Sequence, residues 1–430
     1  MNHHPHGEGR CHGHDPADHG HRQEQEAFAG RRVSIISDDL NEDRLRGHLE
    51  KSRARDRPAG PGGAETLLRY IEAELESEGL PVTVHECEVR IPPPLPPSSP
   101  SNSQERGEWR RIRFPITNIV PDGGTALFVL VGGGADASLL EMARLLHQRR
   151  NELSHGVRIA WWNGGGGDVG FGPAEWYADN KFDLLRTRCM AYFNVDRIAG
   201  QSVSSHSPHA TAELADWTRH MADRLSGRET EPGPPPRDAD GSFLGVGLPS
   251  VSFPPPPPPP TAGEAPDAID GNAMAQWTGF NANALFDLCV HPRAPLDLMT
   301  VADVLWGELE VLQEEVGDAF DFGEAGEAVK ELVVVLEDHE EEHEEMRAGD
   351  FNRKMLDICL LLNPALYTEN GPFGRDAGGN RGVLPGPRRA LGMNRLDPES
   401  GEWKVLRAHL TRERNRLCAT ISQAILVGRG

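Results

Sequence analysis

Two histidines four residues apart, His339 and His343, enclose three glutamates in the pattern H-E-x-x-H. On a helix that spacing puts both imidazoles on one face, as a zinc protease needs to hold its metal beside a water-activating glutamate. The surrounding run from Glu337 to Glu345 is acidic throughout, however, so a glutamate at the second position follows from composition, and no third ligand stands nearby. The expected structure is a solvated acidic helix face. A second pattern, Gly165-x-Gly167-x-x-Gly170, follows the apolar run Val157–Trp162 and superficially fits a dinucleotide fingerprint. Phe171-Gly172-Pro173 then stands where a phosphate-binding helix should continue, so a plain glycine loop is expected. A third pattern, Gly132-Gly133-Gly134 before Asp136, closes a buried apolar stretch. Carboxylates at strand ends face the ligand crevice of open α/β sheets, and a helix-capping aspartate is the alternative at this place. Asp196, closing Met190–Val195, belongs to the same class, while Asp240 in a glycine-flanked loop reads equally as a turn residue. No histidine lies in either strand-end loop, although hydrolytic zinc sites ordinarily use one.

The elements that must carry these residues alternate. Helical spacing is read over Asp39–Glu50, Ala64–Glu78, Leu139–Gln148 and Ala174–Leu185. Strands are read at Val82–Val89, Phe114–Val120, Ala126–Val131, Val157–Trp162, Met190–Val195 and Phe243–Val251. Such β-α-β-α order predicts an α/β sheet layered with helices. Prolines 92–103 and the seven at Pro254–Pro260 cannot join a sheet, and the latter read as a polyproline II rod or a disordered insert. Beyond about Asp297 the chain turns helical and acidic, at Val301–Val316, Gly323–Glu345, Phe351–Leu362 and Trp403–Val427. The expected organisation is a His-rich tail at 1–30, an α/β domain at 38–296 with proline-rich inserts at 92–103 and 232–266, and a helical region at 297–430.

Composition narrows the function. The 44 Lys+Arg against 66 Asp+Glu give a net charge of −22, which argues against binding nucleic acid. No apolar stretch is long enough to span a bilayer, and the N-terminus has no apolar core of a secretory signal. Six cysteines (Cys11, Cys87, Cys189, Cys289, Cys359, Cys418), scattered and without Cys-x-x-Cys, read as reduced thiols of a cytoplasmic protein. Seven of the 18 histidines crowd into residues 1–30. The tail is expected to be disordered, with weak metal capture by mobile imidazoles as the sharper reading.

The order of several segments resembles the zinc-dependent aminopeptidase family that includes glutamate carboxypeptidase and the transferrin receptor. The matching pieces are Gly62-Gly63-Ala64-Glu65 with its helix, Thr117-Asn118-Ile119-Val120, Leu130 to Arg144, Val157 to Asp179 and Asn194-Val195-Asp196. Arg237 to Val251, Leu361 to Thr368 (LLNPALYT), Phe373-Gly374-Arg375-Asp376 and Arg412 to Arg416 continue them in the same order. The resemblance implies a three-layer α/β/α sandwich on a mixed sheet, followed by helices like the dimerisation module of larger members. It also implies two zinc ions held by a bridging aspartate, two histidines and two more carboxylates, with a glutamate as base. In this chain the bridging position falls on Asp136 and a further carboxylate on Asp196; the base and its neighbouring ligand fall on Gly165 and Gly166. The first histidine's place reads Gly132-Gly133-Gly134, and the last, expected between Trp277 and Thr278, is missing.

The leading expectation is therefore a peptidase-fold protein without zinc in its core, acting as a non-catalytic binding or scaffolding protein for a protein or peptide ligand, as a homodimer. An active aminopeptidase or amide hydrolase survives as the alternative if His147, His155, His206, His209 or His291 re-enters the crevice. Metal handling by the tail is a third reading.

Overall fold

The computed structural model describes residues 35–56, 61–91, 108–124, 126–134, 136–162, 172–195, 207–227, 230–235, 241–253, 271–343, 346–374, 376 and 382–430. The His-rich tail, the tracts 92–103 and 254–260, Gly165–Gly170, Asp196, His206 and Asp240 lie outside them.

After a short turn at Ser37–Asp39 come α1 (Glu42–Asp56), α2 (Pro61–Ser77), β1 (Val82–Ile91), β2 (Glu108–Ile119), β3 (Phe128–Gly133) and α3 (Asp136–Gln148). The chain continues through β4 (Gly156–Trp161), α4 (Pro173–Asn180), α5 (Phe182–Arg188), β5 (Cys189–Asn194), β6 (His209–Ala210) and α6 (Ala215–Ser226). It ends with α7 (Gly241–Val246), β7 (Ser250–Ser252), α8 (Gly271–Val290), α9 (Leu298–Val316), α10 (Gly323–His343), α11 (Ala348–Tyr367) and α12 (Gly401–Gly428).

Helix α2 shows how local sequence sets an element. Leu67, Leu68, Ile71 and Leu75 share the buried face. Gly79, at φ 75°, then takes the left-handed turn, with Leu80 N–H donating to Leu75 O and Gly79 N–H to Glu76 O.

The seven strands run in the order β1-β2-β4-β3-β5-β7-β6. Strand β3 lies parallel between β4 and β5, and β7 is parallel to β5; β1, β2 and β6 run antiparallel to their neighbours. All six residues of β3 are buried, because both faces of a central parallel strand are covered. On one face Phe128, Leu130, Phe114, Ile116, Ala160 and Tyr192 form one apolar cluster with Tyr177 of α4, Phe243 of α7 and Leu360 of α11. On the other, Val129, Val131, Ile159, Trp161 and Phe193 are buried where α3 and α8 pack. The fold is an α/β mixed sheet between two helical layers.

Two expected elements are corrected. The stretch Phe243–Val251 is not one strand: α7 takes its first half, and only Ser250–Ser252 enters the sheet. Gly247 forces the break. It sits at φ 99°, receives the end of α7 through Gly247 N–H to Phe243 O, and has Leu360 of α11 directly against its Cα. A Cβ there would lie 2.8 Å from the Leu360 Cα and carbonyl oxygen. Gly247→Ala is therefore expected to lower stability by about 2 kcal/mol, read as a shifted urea midpoint with unchanged slope. The helix Ala174–Leu185 is likewise two short helices, α4 and α5, divided at Lys181. Helices α6 and α8 go beyond the sequence expectation.

The five described cysteines are free, and four of them are buried. Burial pushes the Cys87 and Cys189 thiols up to about 12, so both stay protonated. No helix among the described residues is long and apolar enough to cross a membrane.

Candidate functional site

Strands β3, β4 and β5 end side by side at Gly133, Trp161 and Asn194, the edge at which open α/β sheets place their ligands. Asp136 opens α3 there. Its side chain is buried, and Trp161 Nε1–H reaches its carbonyl oxygen at 3.5 Å. One turn of helix carries the chemistry of this end: the Ser138 hydroxyl lies 2.8 Å from the Thr278 hydroxyl of α8, and both residues are buried. Trp277 of the same helix donates from Nε1 to the carbonyl of Phe253, just past β7. The fold thus brings Asp136 and the Trp277–Thr278 step to one end of the sheet, where Thr278 contributes a hydroxyl already engaged by Ser138.

Gly132, at the end of β3, faces the indole of Trp162. A Cβ built on Gly132 would fall inside that ring, against Nε1 and 2.7 Å from Cε2. The indole has no room to withdraw. Its Nε1–H donates to the Tyr192 hydroxyl at 3.2 Å, and Phe114, Tyr177 and Phe243 pack round it at ring separations of 5.6, 5.6 and 6.1 Å. Any side chain longer than hydrogen at this strand position is excluded by the aromatic core.

Of the histidines that could substitute for the missing ligands, His206 lies outside the described residues, and the described ones do not meet Asp136. His147 stands in the last turn of α3, at the opposite ends of the strands. His155 immediately precedes β4 at that same far end, buried, with its ring bonded to the backbone of His291 and Pro292. Burial keeps it below the usual histidine range. His291 follows α8 and pairs with Asp287, whose carboxylate also accepts from Trp217 Nε1. Among the described candidates His209 alone shares the crevice end, opposite Ser252, which in turn stands opposite Asn194. Three strand spacings, about 14 Å, separate its strand from β3. Its Nδ1 lies 3.0 Å from the Pro234 carbonyl, and burial lowers its pKa. Among the described residues no three His, Cys, Asp or Glu side chains are grouped to hold a metal. His339 and His343 close α10, beyond the part of that helix whose side chains are described.

A second polar cluster was not singled out by any motif. Glu213, one per cent exposed in the turn Ala212–Leu214, accepts at Oε1 from Thr211 Oγ1 (2.8 Å) and from Asn363 Nδ2 of α11 (2.7 Å). Asn363 also donates to Gly247 O at 3.3 Å, and the backbone N–H of Ala212 donates to the Tyr367 hydroxyl at 2.8 Å. Burial raises the Glu213 carboxyl above its ordinary range. The segment Leu361–Thr368 was legible as a family-like piece; its link to Glu213 was not.

No family model matches the chain, and no curated protein does. The comparison with solved structures returns low-scoring similarities. An aminopeptidase from Aneurinibacillus sp. strain AM-1 is 12% identical, covers 58% of this chain and 94% of its own, with a TM-score of 0.45. Porphyromonas gingivalis glutaminyl cyclase is 15% identical, with coverages of 57% and 98% and a TM-score of 0.43. A Zn-dependent exopeptidase from Parabacteroides distasonis is 13% identical, with coverages of 59% and 99% and a TM-score of 0.40.

Proposed function

We propose that the chain is a peptidase-fold protein lacking the dinuclear zinc centre of that family, and that it works as a non-catalytic binding or scaffolding protein. The observation that supports this most is the packing of Trp162 onto Gly132. This weighs against a zinc pair there: the first of the three glycines at which the resemblance calls for an imidazole has an indole packed on its Cα. The neighbouring Thr278 offers a hydroxyl bonded to Ser138. By sequence alone, Gly165 and Gly166 supply neither a base nor a ligand. Asp136, with Asp196 as its sequence partner, leaves a carboxylate-only donor set, which holds zinc poorly. The reading includes a protein or peptide ligand, self-association through the helices beyond residue 297, and a cytoplasmic setting.

Hydrolysis of aminoacyl-anilides by the full chain is expected to match buffer from about pH 6 to 9, with or without added zinc or cobalt. Elemental analysis after dialysis against zinc should find no stoichiometric metal once residues 1–30 are removed. Two zinc ions per chain retained without the tail, or turnover abolished by Asp136→Asn, would overturn the reading in favour of an active hydrolase. Metal that disappears with the tail would place metal handling there instead.

A further inference from the structure

The Glu213 cluster joins two parts of the molecule far apart in sequence. Thr211 belongs to the sheet edge: its backbone N–H donates to Ser250 O, and its hydroxyl accepts from Ser250 N–H. Asn363 and Tyr367 belong to α11. Glu213 Oε1 collects a donor from each side, from Thr211 and from Asn363. The orientation of the Asn363 amide is set by the Gly247 carbonyl, which requires Nδ2. Two acceptors are then left over, Glu213 Oε2 and Asn363 Oδ1, both buried and neither with a hydrogen-bond partner among the described residues. A buried carboxylate in that position lacks a donor for one of its oxygens, and so does the amide beside it. A single proton on Oε2 removes the charge and turns one surplus acceptor into a donor.

We propose that this proton is a latch: with Glu213 neutral the seam between the sheet edge and α11 is closed, and loss of the proton releases α11. Among the described residues the groups around Glu213 supply no compensating cation. The titratable neighbours on α11 are the Cys359 thiol and the Tyr367 hydroxyl, both held protonated chiefly by burial and further by Glu213 itself. On the side of α9, Asp297 receives the Met299 and Thr300 amides and the Thr300 hydroxyl, while its own N–H donates to the Glu213 carbonyl. On α6, Asp216 is paired with Arg219. What acts on Glu213 is burial, opposed by the hydrogen bonds of Asn363, its own backbone and Thr211.

The sign follows from linkage. A carboxyl raised in the folded state binds more protons there than in the unfolded chain, so stability is full below the unfolded value of 4.5 and declines as pH rises toward the folded value. Through that window the unfolding constant of the full chain should grow by up to tenfold per pH unit from this one group. The test is denaturant unfolding from about pH 5 to 8, with hydrogen exchange on α11 corrected for intrinsic rates. The isosteric Glu213→Gln should flatten this component and keep α11 protected at the upper end. Parallel profiles for the two proteins, or protection lost evenly over the sheet and α11, would overturn the latch. Two measurements stand even if Glu213→Gln fails to fold. The unmodified protein should show the infrared carbonyl band of a buried protonated carboxyl, and its absence at pH 6 would sink the proposal. Asn363→Asp, which opposes a second carboxyl to the first, should steepen the loss with pH, and a slope no greater than that of the parent would count against it.

Discussion

Alanine at Gly132 is expected to cost about 3 kcal/mol of folding stability, at the upper end of what overpacking one methyl group into a core does. The added Cβ would occupy the indole of Trp162, and that ring is held by Tyr192 and wedged among Phe114, Tyr177 and Phe243. Neither side can yield cheaply, because the other side of the collision is a strand buried on both faces. Combining Gly132→Ala with Trp162→Ala removes the clash, so the double variant should lose clearly less than the sum of its parents. Urea midpoints of the three proteins give the coupling directly. A change within about 0.5 kcal/mol for Gly132→Ala would show that the indole moves freely, and would reopen the strand end to a larger side chain.

The largest loss is expected from Arg144→Met, about 3–5 kcal/mol, because it leaves a buried carboxylate with only the Asn41 amide and, at 3.9 Å, the half-exposed Arg44. Glu141 is wholly buried in α3 and takes two bonds from Arg144, at 3.0 and 2.5 Å, and one from the Asn41 N–H at 2.8 Å. Arg144 in turn reaches the Asp39 carbonyl at 2.7 Å, so the pair fastens the segment before α1 onto α3. Replacing both partners by methionine should recover much of the loss, since an apolar pair leaves no unpaired charge. A loss under about 1 kcal/mol for Arg144→Met would mean that water or another cation takes over the carboxylate.

Much of the architecture was legible because each element answers to a short-range rule. The continuous apolar run of β3 could only be a strand covered on both sides, and Leu67, Leu68, Ile71 and Leu75 could only be one face of a helix. The error over Phe243–Val251 had a long-range cause. Gly247 turns the chain because Leu360, more than a hundred residues later, presses on it, and nothing in the local pattern signals such a contact. The site divided in the same way. The order of glycines along the chain is visible in the sequence, but the indole lying over Gly132 depends on packing by four other strands and helices. Glu213 escaped notice because a carboxylate is ordinarily read as surface, and its burial follows only once α11 is laid over the sheet edge.

That last contact also sets a timetable for the chain as it is made. Asn363 follows Glu213 by 150 residues, and Leu360 completes the aromatic face that begins at Cys87. At ordinary rates of synthesis roughly 8–30 s pass between the emergence of the carboxyl and that of its amide. Throughout that interval the apolar face of the nascent sheet lacks the part of its cover that α11 supplies, and the carboxyl lacks its amide. The stretch between Glu213 and Asn363 is therefore the period in which a ribosome-bound chain most needs a chaperone, and a premature stop before α11 would leave a product with the Leu360 part of that face permanently open.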